Sequence, residues 1–177
     1  MYIEFAYSFF RVLFLRFLKK GFNAPLIQYI SPLAEISLIS SSKIKLGTHC
    51  DFRKNVTIIA TGNGVIEIGD RVFMNQNCTV SSKAKITIGD RCNLGPNVCI
   101  FDNDHRYERG TGVSTSDYLT ENVEIGSGTW LASNVVVLKG TKIGKNCVIG
   151  AGAVVKGDIP DGSLVYSNRT LIVKSIE

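Results

Sequence analysis

At 177 residues, with 45% hydrophobic and 20% charged content, the chain has the length of one domain and is too apolar to stay disordered. A formal charge of +5 favours an anionic partner, but the cations are spread along the chain with no aromatic-interleaved basic cluster, which argues against nucleic acid. The five cysteines, Cys50, Cys78, Cys92, Cys99 and Cys147, are odd in number and lack metal-ligand spacing, so buried, reduced thiols in a cytosolic protein are expected, with no metal required.

Residues 2 to 20 differ in kind from everything that follows. At helical spacing Ile3, Phe10, Leu13, Phe14 and Phe17 form a wide apolar face, and Glu4, Ser8, Arg11 and Lys19 a narrow polar one. Arg11 and Arg16 interrupt any membrane span or signal-peptide core. An amphipathic helix is therefore predicted, either packed on protein or lying peripherally at the inner face of a membrane with its cations among lipid phosphates. Gly21 to Pro32 reads as the connection, so residues 1–32 form a helix-and-linker unit.

From residue 33 to 157 a six-residue period takes over. Ile125, Leu131, Val137, Ile143, Ile149 and Val155 recur without a slip, and Thr129, Val135, Thr141, Cys147 and Ala153 each lie four places after one of them. Six matches neither a helix nor an ordinary strand, but it is the period of a hexapeptide parallel β-helix, with one inward aliphatic per strand and glycines at the corners. Markers at Leu46, Ile68, Ile88, Ile125 and Ile143 are spaced 22, 20, 37 and 18 residues apart. Against eighteen for a regular coil, the excesses place small insertions near Thr61–Gly64 and Ser81–Lys85 and a nineteen-residue one near 101–123. That long insertion, beginning FDNDHRYERG, is predicted to project as a loop, where function on a regular scaffold tends to sit. Residues 158–177 read as a separate extended segment opened by the turn DIPDG.

The chain has two histidines. His49 falls at a coil corner, whereas His105 stands at the root of the long loop with no packing duty to explain it. A neutral imidazole can take a proton from a hydroxyl, which makes His105 the candidate catalytic base. No GxSxG, phosphate-loop, GxGxxG or HExxH motif competes.

The runs VFMNQNCTVSSKAKITIGDRCNLGPNVCIFDNDH and VEIGSGTWLASNVVVLKGTKIGKNCVIGAGAVVKGDIPDGSLV resemble the hexapeptide-repeat acetyltransferases, the family that includes the maltose, galactoside and virginiamycin O-acetyltransferases, and look closest to enzymes of sugars and surface polysaccharides. The resemblance spans roughly residues 44 to 166. It implies a left-handed coil, a homotrimer with active sites between subunits, and direct acetyl transfer from acetyl-CoA to a sugar hydroxyl. It further implies that His105 is the base, that Asn75 and Trp130 meet the acceptor, that the backbone N–H of Ser133 faces the thioester, and that Ala151 lines the pantetheine arm.

Two departures stand out. The galactoside enzymes carry an acceptor-binding carboxylate where this chain has Ser82-Lys83, and the usual GxPA ending is replaced by Ser167-Asn168-Arg169-Thr170, leaving Lys156, Arg169 and Lys174 as candidate partners for coenzyme A phosphates. N-acetylation of an amino sugar and a non-catalytic β-helix scaffold at the membrane remain the alternatives.

Overall fold

Short strands of two to four residues recur along the chain, and each pairs in parallel with the strand one coil away: Ile68 lies beside Ile88, Ile88 beside Ile125, and Ile125 beside Ile143. The result is a left-handed parallel β-helix of about six turns. This computed structural model describes residues 2–168, with side chains from Phe5 onward. Among the described residues three parallel sheets of seven, seven and six strands form the faces, and a two-stranded antiparallel hairpin stands apart from them.

The inward positions stack into columns. Ile30, Phe52, Met74, Leu94, Leu131, Ile149 and Val165 line the second sheet, and Ile36, Ile58, Val80, Ile100, Val137 and Val155 the third. Most are completely buried. The smaller inward positions hold Cys50, Cys78, Cys92 and Cys147, all free and buried, whereas Cys99 is half-buried on the outer side. Burial pushes the Cys50 thiol up to about 12 and the Cys78 thiol to about 11, since an ionised sulfur would lose its water.

Corners fall in register as well. His49, Arg71, Arg91 and Asn146 occupy one corner with φ between 54° and 57°, and Asn55, Asn77, Asn97 and Asn134 the next with φ between 60° and 62°. Asparagine tolerates this left-handed conformation better than most residues. Its side chains here also form a ladder, Asn55 to Asn77 to Asn97 to Asn134, each bond 3.1 Å. His49 is thus a corner residue, its Nδ1 2.9 Å from the Thr48 hydroxyl. The glycines divide into two kinds. Gly128 takes a left-handed φ of 74°, but Gly126 is required for close approach, because a Cβ there would lie 2.5 Å from the backbone of Gly144 on the next coil.

The ladders run past 33–157 at both ends. Phe22–Asn23 and Tyr29–Ile30 already belong to the first and second sheets, and Asp158–Ile159 and Leu164–Val165 continue them. Pro25 and Pro32 sit between strands of the first coil, which is why they read as linker punctuation. The segment beyond residue 168, including Val173, lies outside the described residues.

A helix, α1 (Tyr2–Leu18), closes the open end of the first coil, and it docks through the face opposite to the one hydropathy suggests. Ser8 and Val12 are fully buried. The Ser8 hydroxyl accepts a hydrogen bond from the Ile30 amide at 3.1 Å, and the Arg11 guanidinium donates to the carbonyls of Ser31 and Ala34 at 3.0 and 2.6 Å. The narrow polar face is therefore the docked one, because it satisfies backbone groups at the end of the coil. Phe10, Leu13, Phe14 and Phe17 face outward; the side chains of Ile3 and Glu4 lie outside those described.

Candidate active site

The nineteen-residue insertion is a hairpin of Asn103–Glu108 and Gly112–Thr120. Its turn, Arg109-Gly110-Thr111, carries the glycine signal of a tight reversal, with Gly110 at φ 97°. The register shifts once between His105 and Tyr107, where Arg106 stands opposite the four unpaired residues 114–117 and its guanidinium pairs with Asp117 at 2.7 Å.

The base of the hairpin is held by two carboxylates. Asp102 is fully buried, and its oxygens accept from the Ser82 hydroxyl at 2.6 Å, the Lys83 and Ala84 amides at 2.8 and 2.9 Å, and the Asn103 amide group at 3.0 Å. A carboxylate thus stands at the Ser82-Lys83 turn after all, supplied by the next coil and committed to holding that turn. The sequence carried a signal for this: two residues after the inward Ile100, Asp102 shares its parity and stacks on Ser82. On the other side Glu121 pairs with the largely buried Lys139 at 2.5 Å, with Asp104 3.9 Å from the same ammonium. The hydrogen bond from Lys139 holds the Glu121 carboxyl below its usual range, and the same bond pushes the Lys139 ammonium up.

His105 lies opposite Tyr118, with ring centroids 4.5 Å apart. Its Nδ1 is 3.0 Å from the Ser114 carbonyl oxygen. A carbonyl can only accept, so Nδ1 carries the hydrogen and, in the neutral ring, Nε2 is left as the basic nitrogen. Tyr118 rests in turn against the Lys83 ammonium, 3.8 Å from its ring centre, and Lys83 donates to the Thr61 hydroxyl at 3.1 Å. An exposed imidazole is thereby tied to two successive coils. Ser114 and Tyr118 carry no signal of their own in the sequence, and the sequence marks Lys83 and Asp102 without showing that they support His105 and its hairpin.

The other predicted residues gather at a different corner. Asn75 follows a strand of the second sheet, Trp130 lies within that sheet, and Ser133 and Ala151 follow its later strands. Trp130 is half exposed on the outer face, between Asn93 and Val148. The Asn75 side-chain oxygen, Oδ1, accepts from the Gln76 backbone amide at 2.8 Å. The Ser133 carbonyl accepts from Gly152, while its own amide donates no hydrogen bond among the described residues. His105 is inserted after the third sheet instead, and the width of that face, about five residues of extended chain, separates the two corners by roughly 15 Å. One chain therefore does not bring His105 together with Asn75, Trp130, Ser133 and Ala151. Lys156 is exposed on the His105 side, near enough to Glu121 to affect its ionisation. Arg169 and Lys174 lie outside the described residues. A shallow groove of about 760 Å³ runs over the first sheet between Glu67 and Asp161, and none of the predicted site residues lines it.

Residues 122–157 match the family described as bacterial transferase hexapeptide (six repeats), and residues 85–101 match the hexapeptide repeat of succinyl-transferase. Galactoside O-acetyltransferase of Lactococcus lactis subsp. lactis is 30% identical over 150 residues, 82% of this chain and 69% of that one. A Schizosaccharomyces pombe protein named as a candidate acetyltransferase is 36% identical over 115 residues, 63% of this chain, and the match spans only 54% of that protein's length. Among solved structures, a single-residue variant of GDP-perosamine N-acetyltransferase from Caulobacter crescentus, in complex with CoA and GDP-perosamine, is similar at a TM-score of 0.59 and 25% identity, over 80% of this chain and 53% of that one.

Proposed function

The chain belongs to the hexapeptide-repeat acetyltransferases, and from that premise we propose that it transfers acetyl from acetyl-CoA directly to a hydroxyl of a sugar or glycan. The observation that carries this reading is the Ser114 carbonyl on His105 Nδ1, which leaves Nε2 as an exposed base on a fixed ring. As the acceptor oxygen attacks the thioester carbonyl, Nε2 takes its proton; when the tetrahedral intermediate collapses, the C–S bond breaks and that proton goes to the departing thiolate. The unengaged Ser133 amide is the donor proposed for the oxyanion. Asn75 and Trp130 would hold the acceptor, Ala151 would border the pantetheine arm, and Lys156 would meet a coenzyme phosphate.

Because His105 and the Ser133 corner stand on opposite edges of one face, the complete site is proposed to form between copies in a homotrimer, His105 coming from one and Ser133 from its neighbour. Mixing two inactive variants, His105→Ala and Trp130→Ala, should then restore about a quarter of wild-type turnover by random pairing at each interface. No recovery on co-refolding the two would refute a shared site.

A second reading, N-acetylation of an amino sugar, is favoured by the likeness to the perosamine enzyme, as O-acetylation is by the greater coverage of the lactococcal relative. Thiol release from acetyl-CoA, measured against galactosides, other sugars and amino sugars, separates them. Release with hydroxyl acceptors supports the first reading, release confined to amines replaces it with the second, and absence of release with acceptors of either kind leaves a scaffold.

A further inference from the structure

Docking of α1 uses up its polar face and leaves an apolar one uncovered. Phe10, Phe14 and Phe17 are 66%, 62% and 88% exposed, and Tyr7, Leu13 and Leu18 beside them are about half exposed or more. By helical spacing these six fill a continuous stripe about 140° wide. In the coil that the helix covers, Leu33 and Tyr29 are exposed too, the latter with its ring 5.5 Å from that of Phe5. From Phe5 to Ala34 the charge has one sign, with the exposed Glu35 following. Residues 5–34 contain Arg11, Arg16, Lys19 and Lys20 and no carboxylate, and all but Arg11 are exposed.

We propose that this outer face of α1 seats the protein on an anionic lipid surface, the helix lying in the plane of the headgroups with its phenylalanines among the acyl chains. Charge complementarity selects the occupant. Arg16 flanks the stripe, and Lys19 and Lys20 follow at the end of the helix, where each would face lipid phosphate. A second copy on the same face would bring an identical set of helix cations, Arg16, Lys19 and Lys20, against it. Crossing is excluded for α1 itself: among the described residues no helix is long and apolar enough to span a bilayer. The docked side fixes the orientation, because Ser8, Val12 and Arg11 hold the helix against the coil and so turn the phenylalanines outward. The proposal does not rest on acetyl transfer, and its test does not read activity.

The test is flotation of the full chain with vesicles of phosphatidylglycerol and phosphatidylcholine, against phosphatidylcholine alone, at low and high salt, with oligomeric state followed by analytical ultracentrifugation. The wild-type chain should float with the anionic vesicles and be released by salt. Lys19→Gln with Lys20→Gln should weaken binding about 25-fold, each lysine contributing about fivefold. The triple variant Phe10→Ser, Phe14→Ser, Phe17→Ser should abolish binding with unchanged circular dichroism and oligomeric state, since it leaves the docking residues intact. Failure of the wild-type chain to float overturns the proposal, as does binding that survives the triple variant. A triple variant that loses oligomers while still floating shows that the face joins copies of the chain, which overturns it equally.

Discussion

Replacing Asp102 with Asn tests whether one buried carboxylate sets the root of the hairpin. Asp102 Oδ2 accepts from the Ser82 hydroxyl and the Ala84 amide, and Oδ1 from the Lys83 amide and the Asn103 side chain. Asn supplies one oxygen in place of two, so an NH2 group must face two donors, and at least one backbone N–H loses its partner. A hydrogen bond to a charged group contributes about 1.5–3 kcal/mol, so losing two costs about 3–6 kcal/mol. In a solenoid such a loss opens the nearby corner before the whole chain. Exchange of the Lys83 and Ala84 amides, read by hydrogen–deuterium mass spectrometry, should accelerate by at least about 100-fold, with little change around Ile143. Exchange within about threefold of wild type at both amides would show that Asp102 does not hold this turn.

Three further outcomes follow from the same geometry. Removing residues 103–120 should leave the coil folded by circular dichroism and without transferase activity, because the Glu121 amide already bonds the Asp102 carbonyl at 2.9 Å across the base; an unfolded product would make the hairpin part of the core. Ile143, almost fully buried between Ile125 and Ile159, should cost about 2–5 kcal/mol when cut to Ala in denaturant titration, and Ile143→Asp should not fold. The thiols of Cys50 and Cys78, held near 12 and 11, stay protonated at neutral pH, so a thiol reagent at pH 7.5 should modify Cys99 well before either; rapid labelling of Cys50 in the native protein would contradict its place in the column.

The coil was legible because its signal repeats: an inward aliphatic every sixth residue from Ile125 to Val155 admits few other foldings, and the excess over eighteen located each insertion. Inward parity extends to Asp102, two places after Ile100, but the polar run in which it stands reads as loop. The hairpin had its own mark in Gly110 and Gly112, outweighed by the polarity of the segment. Hydropathy divides α1 into two faces but does not show which one meets the coil, since the docked face is chosen by the carbonyls of Ser31 and Ala34, which periodicity does not register. Sequence proximity could not reveal that His105 and Ser133 leave the coil at different corners; only the assignment of each strand to a sheet does that.

The proposed mechanism stands on His105 as the base of an acetyl transfer. The most direct test is thiol release from acetyl-CoA by the wild-type chain and by His105→Ala, each with its best hydroxyl acceptor, alongside coenzyme binding measured by calorimetry. Turnover should fall by about 10²–10⁴ while the affinity for coenzyme stays within about twofold, as expected when only a general base is lost. Unchanged turnover in His105→Ala would show that another group takes the proton.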